Sequence, residues 1–391
     1  MRVIKVIIAF ILWVVLDVQL GKREHRKNHR TLPFEATKGD YRFYKNGSPL
    51  FEDLFEEVSQ AQDQIDVYYY LIRRDKVSLK FLSLLKMKAE EGIKVHLIVD
   101  RMVSAPLRRE YRSLKKAGVS VSFAETPRFP SFFYTLNRRN HRKMVVIDGA
   151  IGYVGGFNVG REYIGKSSEF SDWRDYHLRL TGSIVRDLHR IILDDWAYTT
   201  GEVLPSVSYR EGGEYPFQIV AFDGIGAENT FLTMIKRAKR EILIGSPYFI
   251  PSKKIQRELL DALDRGVKLH ILLPLKRDHA LVKEAGLPYL QELVLNGAHA
   301  HHYNAGFYHA KIIMVDQEAA DIGTANFDRR SMFLNKEVNI SIFDQAFVQH
   351  LRNEYFKDIE SSIYFDKQEA ASPSFGTKVK IQLARPFRGV L

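Results

Sequence analysis

Apolar and polar positions along the chain follow helical and strand periods, and the order of these periods is the same in both halves. Helical spacing of apolar residues in 50–62 leads into an apolar strand at 65–72, and the same spacing in 228–240 leads into a strand at 241–250. A second helix then ends at a glycine before a second apolar strand, in EEGIKVHLIVD (90–100) and in DRGVKLHILLP (264–274). We therefore predict an α/β chain built from two repeats, each with a central sheet.

Two segments of this repeat carry the same chemical groups in the same order. The first, NHRKMVVIDGAIGYVGGFNVG (140–160), contains His141, Lys143, Asp148 and Asn158. The second, YHAKIIMVDQEAADIGTANFD (308–328), contains His309, Lys311, Asp316 and Asn326, each 168 residues after its counterpart. A lone histidine at the start of a strand is usually structural, but two copies at one offset favour a catalytic interpretation.

The histidine and the lysine of each copy are two residues apart, so in a strand they lie on the same face. This pair suits a phosphodiester, because the lysine neutralises phosphate oxygens while the histidine attacks or donates a proton. A covalent intermediate at phosphorus needs a nucleophile on one face and a proton donor on the leaving-group side. Two pseudo-symmetric halves that face each other supply one histidine for each role.

The doubled pattern H-x-K-x(4)-D, followed by glycine and asparagine, resembles the signature of the phospholipase D superfamily, and the resemblance covers residues 40–365. It implies two tandem pseudo-symmetric domains, each a central mixed β-sheet flanked by helices. It also implies a reaction without metal or cofactor, in which His141 becomes the phosphohistidine and His309 protonates the leaving alcohol.

The resemblance implies further roles for polar residues around the two histidines. The residues expected to bind the phosphate are Lys143, Lys311, Asn158 and Asn326. A downstream carboxylate orients each histidine in the superfamily, and the candidates here are Asp175 and Glu337, with an ordinary solvated acid as the alternative. Asp148 and Asp316 complete the catalytic motif, although both end their strands at turns, and we favour holding the turn as their task.

Several segments resemble bacterial cardiolipin synthases, in particular the shorter, minor group: PRFPSFF (127–133), PYFIPS (247–252) and NKEVN (335–339). The resemblance implies that two phosphatidylglycerols are joined into cardiolipin with release of glycerol, through a phosphatidyl-histidine. The expected partners are phosphatidylglycerol and an anionic membrane surface, and not nucleic acid. A phospholipase D that uses water or another alcohol as acceptor shares every catalytic residue and stays open. A nuclease-type phosphodiesterase and a non-enzymatic scaffold are disfavoured.

The charge distribution argues for a membrane and against a nucleic acid. The net charge is +11, of which residues 1–30 carry +5 (seven Lys/Arg, two acids) and residues 373–391 carry +4. A protein that follows nucleic acid is basic along its body, whereas basic ends suit an anionic membrane surface. Residues 3–20 are apolar over about 27 Å of helix, and we favour an uncleaved anchor over a signal peptide because no small-x-small site follows. Five Lys/Arg in 21–30, against two before the segment, favour cytoplasmic domains.

These observations divide the chain into predicted segments: an anchor helix (1–20), a basic linker (21–38), two phospholipase D-like domains (39–204 and 205–366) and a basic tail (367–391). The tail is either interfacial or disordered. We predict the aromatic stretch 129–134 to be either an acyl-chain lip beside the site or a packed loop. The candidates for binding anionic headgroups are Arg138, Arg139 and Arg142.

Overall fold

A computed structural model describes residues 2–29, 32–166, 170–205, 207–279 and 281–389. Arg30 and Thr31 of the predicted linker, and Val390 and Leu391 of the predicted tail, lie outside these ranges. The chain opens with helix α1 (Arg2–Asn28), which continues into the segment predicted as a linker.

After α1, the first half of the chain contains eight strands and five further α-helices within the described residues. Its strands are β1 (Thr37–Tyr44), β2 (Gln64–Tyr69), β3 (Lys94–Asp100), β4 (Ser120–Ala124), β5 (Lys143–Ile147), β6 (Ile151–Gly155), β7 (Asp172–Arg174) and β8 (His177–Thr181). Its helices are α2 (Gly47–Gln60), α3 (Lys76–Glu90), α4 (Arg108–Lys116), α5 (Phe132–Asn137) and α6 (Ile184–Thr200).

The second half follows a similar order and ends with one additional strand and two additional helices. Its strands are β9 (Tyr215–Asp223), β10 (Glu241–Gly245), β11 (Lys268–Pro274), β12 (His299–Tyr303), β13 (Gly306–Tyr308), β14 (Ile312–Val315), β15 (Ala319–Gly323), β16 (Lys336–Ile342) and β17 (Ser362–Phe365). Its helices are α7 (Ala227–Arg237), α8 (Lys253–Asp264), α9 (Val282–Leu295), α10 (Arg329–Phe333), α11 (Gln345–Glu360), α12 (Lys367–Ala371) and α13 (Phe375–Ala384). In this half β13 and α10 stand in place of α5 and β7.

The two repeats form one sheet of fifteen strands, in the order β17-β12-β11-β10-β14-β15-β16-β9-β1-β8-β6-β5-β2-β3-β4. In each half three parallel strands (β2, β3 and β4, or β10, β11 and β12) are followed by antiparallel ones, so each half of the sheet is mixed. The prediction of a repeated α/β fold is confirmed. The halves join at β1 and β9, which pair antiparallel from Thr37 opposite Phe217 to Gly39 opposite Tyr215.

Alternate side chains of each motif strand point to opposite faces of the sheet and pack in different hydrophobic cores. Met144 and Val146 of β5 face a core that the two halves share, whereas Val145 faces the helices of the first half alone. In β14 Met314 faces the shared core, and Ile313 faces the core of the second half. The shared core also contains α6 and α11, so apolar burial holds the two halves together as one body.

Helix α1 is anchored to the catalytic body through its polar second half. Asp17, the one acid in the apolar run, accepts hydrogen bonds from the backbone N–H groups of Phe132, Phe133 and Tyr134 at 2.7–3.1 Å. These are the unpaired donors of the first turn of α5, and such caps typically contribute about 0.5–2 kcal/mol. Gly21, one turn later, has no room for a side chain, because an added Cβ would lie 2.6 Å from that of Tyr134.

The aromatic stretch 129–134 therefore packs against α1, and the prediction of a lip beside the catalytic site is wrong. The Phe133 ring meets the rings of Phe10 and Trp13 edge to face, with centroids 5.8 and 5.0 Å apart. Apart from these ring contacts, the apolar side chains in the earlier part of α1 are exposed, with Val3 at 71 % and Leu16 at 53 %. By length and composition, α1 is the one helix among the described residues that is able to cross a membrane.

Candidate active site

Both motif histidines line one cavity of about 780 Å³ at the junction of the two halves. Asn158 and Asn326 line the same cavity, so the structure brings together the two copies of the motif from opposite halves of the chain. A cavity of this volume is in the range of small-molecule sites. The first half contributes the segment before β5, and the second half contributes the segment between β13 and β14.

Each histidine is held by the carboxylate of the other half. His141 Nδ1 lies 2.9 Å from Glu337, whereas His309 Nδ1 lies 2.5 Å from Asp175. Backbone hydrogen bonds also run from one half to the other, since the N–H of His141 donates to the carbonyl of Lys336 at 2.8 Å. The N–H of His309 donates to the carbonyl of residue 174, which immediately precedes Asp175, at 2.7 Å. The two carboxylates predicted from the sequence are therefore in place, and each serves the opposite histidine.

These contacts fix the state of each imidazole. A carboxylate that accepts the proton on Nδ1 selects the tautomer in which Nε2 carries a free lone pair. Burial lowers the pKa of His141 below its ordinary value, although Glu337 opposes the shift. Burial and the adjacent Lys311 lower the pKa of His309 to about 4. Both imidazoles are thus neutral at pH 7 without a ligand, and a bound anion would raise their pKa values.

The carboxylates remain ionised despite being fully buried. Burial alone would raise the pKa of Asp175, but Lys311 and His309 outweigh it and the pKa is lowered. The pKa of Glu337 is lowered in the same way, because His141, Lys143 and Thr324 together outweigh the effect of burial. Glu337 also accepts a hydrogen bond from Ser331 Oγ at 2.7 Å. A buried carboxylate with several donors is a rigid acceptor for the imidazole.

The motif lysines lie beneath the histidines and are not among the residues that line the cavity. Lys143 Nζ donates to the carbonyl oxygen of His141 at 2.6 Å, and Lys311 Nζ lies 3.4 Å from Asp175. Burial lowers the pKa of Lys143 well below its ordinary value and that of Lys311 to about 8. An anionic ligand would favour their charged forms.

The two asparagines each carry a buried amide oxygen with no hydrogen-bond partner among the described residues. Asn158 donates from its amide nitrogen to the hydroxyl of Tyr163 at 3.2 Å. A buried polar atom without a partner is unfavourable, and amide oxygen and nitrogen exchange places by rotation of the group. The cavity-facing amides of Asn158 and Asn326 are therefore available to a ligand.

The motif aspartates do not belong to the catalytic group, which corrects that part of the prediction. Asp148 accepts from the backbone N–H groups of residues 62–64 at 2.8–2.9 Å, and Asp316 accepts from those of residues 239–241 at 2.7–2.9 Å. Each follows the last residue of its motif strand, at the end away from the histidine. They join the turn before the neighbouring strand to the motif strand, which is the task that the sequence favoured for them.

The three arginines before β5 are paired with acids of the protein itself, which argues against the predicted role as headgroup ligands, although Arg139 lines the cavity. Arg139 donates to Asp100 at 3.0 Å, and Arg142 donates to Asp195 at 2.7 Å. Arg138 is paired with Asp223. All three side chains are buried, and their guanidinium groups are occupied by acids of the protein itself.

Sequence reasoning missed the aromatic walls of the site. The Tyr70 ring meets His141 edge to face at 4.8 Å, and the Trp173 ring lies 4.9 Å from His309. Both rings line the cavity. The position of Trp173, two residues before Asp175 in DWRD, was a usable signal, whereas Tyr70 lies in the run IDVYYYLI without any distinguishing feature.

A family model described as cardiolipin synthase, PLD-like domain, matches residues 54–172 and 231–359. The chain is 37% identical over 373 residues to the minor cardiolipin synthase ClsB of Bacillus subtilis, covering 95% of this chain and 94% of that protein. It is 39% identical over 372 residues to cardiolipin synthase 2 of Staphylococcus epidermidis, covering 92% and 76%. A crystal structure of phosphatidylserine synthase from Haemophilus influenzae shares the fold, with a TM-score of 0.72 and 16% identity, over 95% of this chain and all of that one.

The crossed pairing predicts that each carboxylate controls the histidine of the other half. Glu337→Gln should slow formation of a phosphoenzyme by roughly 10²–10⁴-fold, because an amide neither stabilises the imidazolium at His141 nor selects its tautomer. Asp175→Asn should leave that step intact with a substrate whose leaving group needs no proton. Rapid quenching followed by quantitation of the covalent adduct measures both variants. An adduct that depends on Asp175 instead would contradict the assignment.

Proposed function

The chain belongs to the phospholipase D superfamily, within its cardiolipin synthase-like group, and is a phospholipid phosphatidyltransferase; on this basis we propose that it joins two phosphatidylglycerols into cardiolipin and glycerol. The observation that supports the proposal is the pair of carboxylate-bound histidines lining one cavity. A reaction through a covalent intermediate uses both: one as nucleophile and one as proton donor.

In the first step His141 Nε2 attacks the phosphorus of one phosphatidylglycerol, and a P–N bond forms as the P–O bond to glycerol breaks. His309 gives its Nε2 proton to the departing glycerol oxygen. His309 takes up this proton from solvent when the substrate binds, because the negative charge of the phosphodiester raises the pKa of His309 against the effect of burial. Lys143, Lys311, Asn158 and Asn326 stabilise the charge on the equatorial phosphate oxygens in this proposal.

In the second step the terminal hydroxyl of another phosphatidylglycerol attacks the same phosphorus. His309 accepts the hydroxyl proton, the P–N bond breaks, and His141 is regenerated with cardiolipin as the product. Transfer competes with hydrolysis only if the second lipid is held in line. Effective molarities on the order of 10⁵ M or more show that such positioning is sufficient.

The groups suited to that positioning are the aromatic side chains of the cavity, and not the aromatic stretch that packs on α1. Tyr70 and Trp173 stand beside the two histidines, and Phe170 packs against Trp173 with ring centroids 5.6 Å apart. Apolar walls exclude water and leave room for a lipid glycerol group.

Substitution of each histidine separates their roles. We expect His141→Asn to abolish the phosphoenzyme, and His309→Asn to let it form and persist with an activated substrate. An attacking imidazole must be unprotonated, and the pKa of His141 is lowered from the ordinary imidazole pKa of about 6.5. The rate of phosphoenzyme formation should therefore begin to fall only at a pH below that value. Mass spectrometry of the trapped adduct identifies the residue. An adduct on His309 would reverse the assignment.

The lipid products distinguish a synthase from a hydrolase. With phosphatidylglycerol in micelles as the sole lipid, cardiolipin and glycerol should appear in equal amounts by mass spectrometry. Phe170→Ala should raise the share of phosphatidic acid, because it opens the cavity wall to water. Phe132→Ser is the matched control: it removes an aromatic ring outside the cavity and should leave the product ratio unchanged. If the unaltered protein produces mainly phosphatidic acid, it is a phospholipase D.

We also propose that α1 attaches the protein to the membrane with the catalytic body in the cytoplasm. The basic residues after the apolar run support this orientation. The exposed apolar part, Val3–Leu16, rises about 21 Å at 1.5 Å per residue, less than the roughly 30 Å of a hydrocarbon core. Because Asp17 is fixed on α5, the catalytic body lies directly against the bilayer surface in this proposal.

The chain contains no cysteine, so one introduced thiol reports its orientation. Val203→Cys places it at a side chain that is 86 % exposed, in the loop between α6 and β9. A membrane-impermeant maleimide should label this variant in lysed cells and not in intact cells. Labelling of intact cells would show that the catalytic body faces outward.

A further inference from the structure

Helix α13 exposes an apolar stripe although it is held firmly against the body. Phe375, Val379 and Leu383 are four residues apart, so they lie on one face of the helix. Their exposed fractions are 83 %, 42 % and 59 %. Ser374 caps the helix through the backbone N–H of Thr377, at 3.2 Å. The segment is therefore an ordered helix, and the alternative of a disordered tail is wrong for residues 375–384.

The opposite face of α13 fixes which side is presented outward. Ala384 is fully buried in a small cluster with Ile250 and Ala285, and Val282 packs against the same cluster. Rotation of α13 to bury its apolar stripe would remove Ala384 from this cluster. The stripe is thus an outward-facing surface that the protein's own fold does not cover.

The positive charges on both sides of the apolar stripe indicate which kind of surface it binds. Lys378 and Lys380 are exposed and lie on the two sides of the stripe, given 3.6 residues per turn. Residues 373–391 contain four Lys/Arg and no acid. An apolar line bordered by cations matches a surface with apolar chains below and negative headgroups above, whereas a second copy of this basic segment would repel it.

The position of α13 relates this surface to the catalytic cavity. Val282, which packs against the Ala384 cluster, also lines the cavity. Helix α1 approaches another part of the cavity wall: Lys22 Nζ lies 5.9 Å from the Phe333 ring of α10, and Arg330 of α10 lines the cavity. Helices α1 and α13 thus lie near two different parts of the cavity wall, and each is suited to a membrane contact.

We propose that α13 docks its stripe Phe375–Val379–Leu383 onto the anionic membrane surface, as a second contact beside α1 that turns the catalytic cavity toward the bilayer. Attachment by α1 alone leaves the body free to tilt about a single helix. A second contact removes that freedom, and lipid headgroups then meet the cavity without leaving the bilayer. The inference goes beyond the proposed reaction, since it concerns how the body is oriented on the membrane.

The experiment uses the full chain in vesicles and requires no catalysis. A cysteine at position 379 (Val379→Cys) carries an environment-sensitive fluorophore, and the vesicles contain a nitroxide lipid quencher with either phosphatidylcholine alone or added phosphatidylglycerol. The fluorophore should shift to the blue and be quenched in the phosphatidylglycerol vesicles. Lys116→Cys, on α4, is the control and should stay aqueous in both. Lys378→Gln with Lys380→Gln should abolish the response at position 379.

Activity supplies an independent readout. Val379→Ser with Leu383→Ser should lower turnover of phosphatidylglycerol in vesicles several-fold and leave turnover in detergent micelles unchanged, with Val203→Ser as the matched exposed control. A label at position 379 that remains aqueous on phosphatidylglycerol vesicles overturns the proposal. A blue shift that depends on protein concentration, and that persists in detergent, would also overturn it by assigning the stripe to a contact between copies. Because the label responds without turnover, failure of the proposed reaction is seen separately, in the lipid products.

Discussion

The crossed contact between histidine and carboxylate is the constraint on which this structure depends. Each imidazole needs a buried acceptor at Nδ1, and each half supplies that acceptor to the other: Glu337 to His141 and Asp175 to His309. Neither half alone holds its own histidine in a reactive tautomer. The repeat therefore does more than double a motif, because the active site exists only where the two halves meet.

Much of the surrounding structure keeps that junction fixed. Pairing of β1 with β9 joins the sheets, and the shared core buries α6 and α11 between them. Arg142 adds a polar link across the junction: it donates to Asp195 of the first half and to the carbonyl of Glu337 in the second. Removing one partner of such a buried ion pair is strongly destabilising, because it leaves a charge without compensation. Arg142, which stands between the histidine and the lysine of the first motif, thus links the two halves at the site.

A buried charge is also compensated by hydrogen bonds where α1 meets the catalytic body. Asp17 interrupts an apolar helix, which would be unfavourable inside a bilayer, but its carboxylate accepts three backbone hydrogen bonds as the cap of α5. The aromatic residues around that cap pack on α1, which joins this helix to the catalytic body. In the proposed membrane attachment, this contact gives the cavity a defined height above the lipid surface.

The sequence by itself determined the repeat, the mixed α/β class, the pair of histidines and the two candidate carboxylates. The repeat, the α/β class and the pair of histidines follow from local rules, since strand and helix periods are set by neighbouring residues and the offset of 168 residues is visible without a structure. The mixed sheet and the two candidate carboxylates were implied by the family resemblance of the motifs. Even the task of Asp148 and Asp316 was accessible, since a turn is also a local feature.

Only the tertiary structure decided which carboxylate meets which histidine, because His141 and Glu337 are 196 residues apart and many folds of the same periods are possible. It also decided that the three arginines face protein acids and that the aromatic stretch meets α1. A charged or aromatic side chain looks the same in the sequence whether it contacts a ligand, a lipid or another residue of the chain. That choice is made by packing, which brings distant segments together and excludes water from the contacts that result.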